Sequence, residues 1–333
     1  VTDPVRGHVQ AFLAHARTLW PKFWPAPVLP FVLFAIYQSV RGELRIDHVL
    51  LILVSAMLAY VGPRTKELLI GLYPMALVGV FYDAMRPLQS LGVTAERLHL
   101  CDLRQLELAL FGFESGGQRI TFHDWFVVHH APALDLFAAV PYGTFIAACV
   151  FTAIYLYFKD RSAMRRFAMG FLVLNVLGFI TYHVLPAAPP WYFHAHGCTI
   201  DLATRATEGP ALSRVDAMLG ISYFHGMYGR ASSVFGALPS LHCAYPVLIV
   251  LIGWRHFGIV LRAASIGFAC WMIFSAVYLD HHWLLDAVLG VSYAVVTALA
   301  LGAIDRYRAR RKHEATNKLH SAAPAAVASG GGT

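Results

Sequence analysis

Eight apolar runs, separated by polar or proline-bearing connections, restrict this chain more than any other feature of it. They lie at about 26–40, 47–61, 67–85, 134–158, 166–185, 241–257, 261–278 and 284–304. Several approach the roughly 20 residues with which a helix crosses a bilayer, and a helix satisfies all its backbone groups internally. The expected fold is all-α, a polytopic integral membrane helical bundle. The count is eight transmembrane helices, or six if the two short leading runs are tilted partners or re-entrant. Composition agrees: 14% of residues are charged and 58% hydrophobic, whereas soluble domains carry about 25% charged residues. The 333 residues therefore read as one multi-span bundle.

Basic residues orient the bundle. Lys159, Arg161, Arg165 and Arg166 crowd one connection, and Arg306, Arg308, Arg310, Arg311 and Lys312 follow the last run. Both clusters belong on the cytoplasmic side, and the four runs between them agree with that. His242, His282 and Arg86 then open to the opposite, extracytoplasmic side. So do two long connections, 86–132 and 186–239. The first carries a stretch, 97–113, that reads as an interfacial helix. The second opens with Pro186, Pro189 and Pro190, which forbid a regular helix. Connections of this length are able to roof a headgroup pocket.

Residues 1–25 lack the apolar run and small-residue cleavage site of a signal peptide. Val9, Phe12, Leu13, Ala16 and Trp20 recur at helical spacing near Arg17 and Lys22, the pattern of an interfacial amphipathic helix, with a frayed terminus as the alternative. The membrane domain is placed at 26–305. Residues 306–333 turn from basic to Ala-, Pro-, Ser- and Gly-rich, a composition expected to be disordered. Cytoplasmic loops meeting anionic lipid heads explain the net charge of +7 without nucleic acid. Cys149, Cys243 and Cys270 fall in or at apolar runs, whereas Cys101 and Cys198 lie in the two outer connections and could pair in an oxidising compartment.

Polar groups at the mouths of apolar helices are costly to keep and mark a candidate site. Gly236-Ala237-Leu238-Pro239-Ser240-Leu241-His242 opens such a site, and Asp280-His281-His282-Trp283-Leu284-Leu285-Asp286 closes it. His282 and Asp286 are four apart, which on a helix places them on one face. A carboxylate on one imidazole nitrogen makes the other a better nucleophile or base. These histidines and Asp286 also admit a zinc-site reading.

The two motifs resemble those of the type 2 phosphatidic acid phosphatase superfamily, and within it the inositol phosphorylceramide synthase branch. Phe235-Gly236-Ala237 before Pro239-Ser240-Leu241-His242, and the paired His281-His282 with Asp286, look like the synthases. The phosphatases' first motif is half present: Arg86-Pro87 stands, but Gly79 occupies the lysine position. In their third motif Ser275 and Ala276 take the Ser-Arg positions. Glu107-Leu108-Ala109-Leu110-Phe111-Gly112 and His123-Asp124-Trp125 are similar to a synthase segment, where substrate contact or structural hydrogen bonding is open for Glu107, His123, Asp124 and also His183.

The resemblance implies a phosphotransferase moving a phosphoinositol-type headgroup from a glycerolipid to a lipid alcohol. His282 would form a phosphohistidine oriented by Asp286, and His242 would act as acid and base. Arg86 and Arg230 are the candidates for a phosphate clamp, Arg230 only because it lies shortly before His242 in sequence, with His281 and Ser240 as further substrate contacts, and neither cofactor nor metal is required. Donor and acceptor are membrane lipids. The alternatives are an outward-facing lipid phosphate or polyprenyl diphosphate phosphatase, and a lipid transporter using the histidines as proton relays.

Overall fold

A computed structural model describes residues 4–85, 92–206, 209–229 and 234–327. The described elements are α1 (Pro4–Leu19), α2 (Leu29–Val40), α3 (Ile46–Tyr60), α4 (Pro63–Met85), α5 (Cys101–Phe111), a hairpin of β1 (Phe113–Ser115) and β2 (Gln118–Ile120), α6 (Phe122–Val128), α7 (Pro132–Lys159), α8 (Arg161–Val184), α9 (Pro190–His196), α10 (Pro210–Leu219), α11 (Tyr223–Tyr228), α12 (Leu241–Gly253), α13 (Ile259–Tyr278) and α14 (Leu284–Val327). The antiparallel hairpin pairs Phe113 with Ile120. Each expected apolar run forms a helix. Among the described residues α4, α7, α8, α13 and α14 are long and apolar enough to cross a membrane, while α2, α3 and α12 are shorter.

The centre of the bundle is α12, packed among α7, α8, α13 and α14. Its Leu248 and Ile252 meet Phe167, Phe171 and Leu174 of α8 in one buried cluster. Small residues let the backbones close in: a Cβ added at Gly178 would meet the Leu241 side chain at 2.9 Å, and one at Gly290 would lie 2.1 Å from the Ser240 carbonyl oxygen. The first is contact with a side chain that can shift. The second is backbone against backbone, so α14 crosses the start of α12 at a distance that only glycine permits.

The two ends of the bundle differ in chemistry. At one end Asp160 caps α8 by accepting from the Ser162 and Ala163 N–H groups. There Arg166 Nε donates to Asp305 Oδ2 at 2.6 Å, which joins the two basic clusters at a single end. The amphipathic α1 lies at the same end: Trp20 Nε1 donates to the Ala59 carbonyl and Lys66 Nζ to the Leu19 carbonyl, leaving Val9 and Phe12 exposed. α14 continues as helix through the basic stretch to Val327, where the composition suggested an unstructured tail. Its Ala, Arg, Lys and Glu content has high helix propensity.

At the opposite end the two long connections fold over the bundle and are tied together. Cys101 and Cys198 form a disulfide, the pairing that the sequence left open. Ala187 stands between His99 and Gly236 in short parallel bridges: Ala188 N–H donates to His99 O, Ala187 N–H to Phe235 O, and Ala237 N–H to Ala187 O. Leu100, Trp191, Tyr192, Phe235 and Trp283 close an apolar cluster beneath this ladder. The expected roof is present, held by hydrogen bonds, a covalent link and its own small core.

The Gly290 crossing gives a direct test of this packing. Gly290→Ala should lower stability by about 1–3 kcal/mol, the usual cost of forcing extra volume into a packed contact. A fall in the thermal midpoint of the detergent-solubilised protein checks it, with Gly267→Ala in α13, where an added Cβ meets nothing within 4 Å, as the control whose midpoint should hold or rise through helix propensity.

Candidate active site

The chain reaches the site through a helix stop. α13 ends in a Schellman arrangement, with Asp280 N–H donating to Val277 O and His281 N–H to Ala276 O. Asp280 holds the left-handed position at φ 64°, a place usually taken by glycine. Glycine would be easier on the backbone, but it has no carboxylate, and the carboxylate here is used. Its Oδ2 lies 2.6 Å from His194 Nδ1 and its Oδ1 lies 3.3 Å from His123 Nδ1.

His282 follows two residues later, before α14 begins. Its Nδ1 is 2.9 Å from the Ala237 carbonyl oxygen. A carbonyl only accepts, so Nδ1 carries the proton and Nε2 is left with its lone pair. That nitrogen faces His242 Nδ1 at 3.1 Å, and His242 must therefore supply the proton between them. The two motifs thus meet ring to ring, 40 residues apart in sequence.

Asp286 completes the pair differently from the expected helix-face arrangement. His282 stands outside the helix, and Asp286 sits in its first turn, where Oδ2 reaches back to accept the Trp283 N–H at 2.9 Å. The same oxygen is 3.6 Å from His282 Nδ1, near enough to bias the ring electrostatically but longer than the bond to Ala237. Asp286 is fully buried. The remaining α14 N–H groups are capped from afar: Glu107 of α5 accepts from Leu284 N at 2.9 Å and from Leu285 N at 3.1 Å. Trp283 Nε1 donates to the Ala188 carbonyl, which fastens this helix start to the roof.

Behind the histidine pair runs a buried ionic network. His194 has both ring nitrogens on carboxylates, Nδ1 on Asp280 and Nε2 on Asp124 at 3.0 Å. Carboxylates only accept, so the ring is doubly protonated. Burial would lower His194, yet Asp124 and Asp280 outweigh it and raise it to about 9. Burial likewise opposes the charge on His123, and Asp280 and Glu107 raise it to about 8. Arg104 pairs with Asp124 at 2.9 Å. Burial tends to raise Asp124, but His194 and Arg104 hold it far below the usual carboxylate range. Three cations thus face three carboxylates. Glu107 and Asp124 hydrogen-bond within the structure, and His123 is ion-paired with Asp280 and Glu107. His194 was not singled out from the sequence, where its only signal is a position just past Pro189-Pro190.

His281 points into a different environment. Its ring lies flat on Tyr228, 4.9 Å between centroids and 3° between planes, and 5.3 Å from Tyr142. Burial, and then neighbouring His282, push it down to about 3, so the ring is neutral. Ser240 is fully buried and its Oγ accepts the Cys243 N–H as the cap of α12. Accepting this bond leaves its O–H free to donate, so the cap and the expected substrate contact are compatible. Arg86 and Arg230 lie outside the described residues.

The histidines line a cavity of about 990 Å³, at the upper end of small-molecule pockets. From His242, His281 and His282 it extends along apolar side chains of α3, α4, α7 and α8, such as Leu51, Leu72, Met75 and Phe171. Its far wall carries Arg45, whose guanidinium pairs with Asp47 at 3.0 Å and also with Asp83, itself 2.8 Å from His48. Among the described residues, Asp47, His48 and Asp83 are the group with ligand atoms close enough for one metal ion, all within 4.8 Å. Arg45, paired with both carboxylates, offsets one of the two negative charges of that group. His242, His281, His282 and Asp286 do not form such a cluster.

Residues 116–300 match the PAP2 superfamily. The phosphoinositol dihydroceramide synthase of Bacteroides thetaiotaomicron is 33% identical over 273 residues, 81% of this chain and 88% of that protein. The inositol phosphorylceramide synthase of Candida albicans is 34% identical over 47% of this chain and 34% of its own length. The catalytic subunit of that synthase in Saccharomyces cerevisiae is 33% identical over 49% of this chain and 41% of its own length. No solved structure gives a significant match.

The ionic network makes stability depend on pH in a defined sense. His123 and His194 have folded values above the ordinary histidine value of 6.5, at about 8 and about 9. Their contribution is complete below about pH 6.5 and is lost as pH rises through these values. The thermal midpoint should therefore fall between pH 6.5 and 9, and His194→Gln should lower the midpoint at pH 6.5 while flattening the decline. Melting curves across that range check it; a midpoint level from pH 6.5 to 9 would count against a charged network.

Proposed function

The chain belongs to the PAP2 superfamily, in its inositol phosphorylceramide synthase-like branch, and on that premise we propose a reaction path for its histidine site. It is a membrane lipid phosphotransferase that moves a phosphoinositol headgroup to a ceramide-type lipid alcohol. The observation that carries the path is the tautomer of His282: Nδ1 is committed to the Ala237 carbonyl, and Nε2 presents its lone pair at the head of a lipid-sized cavity.

In the first half, His282 Nε2 attacks the phosphorus of the glycerolipid donor. An N–P bond forms and the P–O bond to the glycerol carbon chain breaks. His242, neutral before the donor lipid binds, takes up a second proton from water as the anionic headgroup binds and gives one proton to the departing oxygen, so diacylglycerol leaves neutral. The bound phosphodiester anion itself favours that imidazolium. In the second half, His242 takes a proton from the acceptor hydroxyl, whose oxygen attacks phosphorus as the N–P bond breaks. Histidine and proton both return to their starting state. Asp286 and Ala237 hold the His282 ring and compensate the charge it gains.

The 3.1 Å contact between His242 and His282 has room for a proton but not for a phosphorus, whose near-attack distance alone is about 3–3.5 Å. Substrate entry therefore parts the two rings. The free site is self-capped, which keeps water from the nucleophile until a lipid headgroup separates them.

Two features support an extracytoplasmic site. The Cys101–Cys198 disulfide crosses the roof at the histidine end, as suits an oxidising compartment. The basic clusters joined by Arg166 and Asp305 lie at the other end, where anionic cytoplasmic lipid heads would meet them. α12 has 13 residues and spans about 20 Å, against a hydrocarbon core of about 30 Å. A short central helix sets His242 below the outer surface, within reach of a substrate arriving sideways from the bilayer.

The experiment is transfer of label in detergent micelles from phosphatidylinositol, labelled in the inositol ring, to added ceramide or diacylglycerol. Label should enter a new lipid, and His282→Ala should reduce this by about 10³-fold or more. Label that stays in phosphatidylinositol while phosphatidic acid or a polyprenyl diphosphate is hydrolysed would replace this reading with a phosphatase.

A further inference from the structure

Two tyrosines at the head of the cavity carry polar atoms that the protein itself leaves unsatisfied. Tyr142 on α7 is fully buried, with its ring 4.7 Å from His242 and 5.3 Å from His281. Tyr228 on α11 stacks flat against His281. The two hydroxyls and His281 Nε2 are all buried without a hydrogen-bond partner among the described residues. All three side chains line the cavity that holds His242 and His282.

A buried hydroxyl without a partner costs about 1–3 kcal/mol. Phenylalanine would fill the same space and make the same ring contacts without that cost. Tyr142 also touches the proposed acid–base histidine, and its face meets His281 beside the nucleophile. Packing accounts for the rings of both tyrosines; it gives no account of their oxygens.

The chemistry of the transfer does. As phosphorus passes between His282 and the two alkoxides in turn, negative charge gathers on its two non-bridging oxygens, which lie to the side of the line of attack. Neutral O–H donors, fixed before substrate arrives and shielded from water, are well suited to that charge. The positions where the related phosphatases carry Lys and Arg are Gly79 and Ala276 in this chain. Gly79 lines the cavity and Ala276 is fully buried.

We propose that the Tyr142 and Tyr228 hydroxyls donate hydrogen bonds to the non-bridging oxygens of the phosphodiester, with the His281 ring, in contact with both tyrosine rings, fixing their geometry. This deepens the phosphotransferase reading and rests on it. The ligand is a monoanionic phosphodiester at the headgroup of a membrane lipid. The pair acts on the transferring group itself, so the effect is felt in turnover more than in lipid affinity.

The test compares Tyr142→Phe, Tyr228→Phe and the double variant with wild type, each as full-length protein in micelles, with ring-labelled phosphatidylinositol as donor and ceramide as acceptor. Each single change removes one oxygen. Each should lower kcat by about 10²-fold, the usual effect of losing one such donor, with KM for the donor changed less than threefold. The thermal midpoint should stay level or rise, because an unsatisfied buried hydroxyl has been removed. A merely structural hydroxyl would show the reverse, a lower midpoint with kcat retained. Wild type that transfers label while both variants match its kcat within twofold would overturn the assignment and leave the transferase reading standing. Wild type that transfers no label would overturn the reading, and this inference with it.

Discussion

The hydrogen bond from His282 Nδ1 to the Ala237 carbonyl is the interaction on which the site depends. It selects the tautomer, and the tautomer decides which nitrogen is nucleophilic. Ala237 is itself held by its N–H on the Ala187 carbonyl, and neighbouring Ala188 is held on His99. Three segments far apart in sequence thus converge on one backbone oxygen. The disulfide between Cys101 and Cys198 and the apolar cluster around Trp191 and Trp283 restrain that ladder, so the roof acts on the chemistry through the backbone rather than through side chains that touch substrate.

From below, the same ring is set by how α13 stops and α14 starts. Asp280 is spent twice, on the left-handed turn and on His123 and His194. Glu107 and Asp286 between them satisfy the N–H groups at the start of α14. A carboxylate at a helix N-terminus is favourable on its own account. Here it also carries position from α5 to the nucleophile. The membrane bundle contributes the other half, since the glycine crossing at Gly290 brings α14 against Ser240, and Ser240 caps the helix that begins with Leu241 and His242.

The parts of this arrangement legible in the sequence are those with local signals. Apolar runs gave the helices because burying or lipidating an unpaired backbone is so costly that length and hydropathy suffice. His242 and His282 stood out as polar groups at helix mouths, within motifs only a few residues long. The four-residue spacing does bring Asp286 to 3.6 Å from His282, but not along one helical face: the helix begins two residues later and the firmer bond is to Ala237. Ser240 caps α12, a role that the sequence did not announce and that uses the hydroxyl's lone pair rather than its proton. Glu107 and His123 read as a polar segment but not as the cap and ion pair they are, His194 had only its place just past Pro189-Pro190, and Tyr142 and Tyr228 had no readable signal. An aromatic residue inside an apolar run is ordinarily core, and only the unsatisfied hydroxyl sets these two apart.

The account makes His282 Nε2 the atom that carries the headgroup between lipids. The most direct measurement is to incubate the protein with ring-labelled phosphatidylinositol in the absence of an acceptor alcohol, quench it in alkali, and map the labelled peptide by mass spectrometry. The account predicts an acid-labile, alkali-stable phosphoinositol adduct on His282, discharged on adding ceramide and absent from His282→Ala. Full transfer activity without any such adduct under rapid quench, or an adduct on another residue, would contradict it.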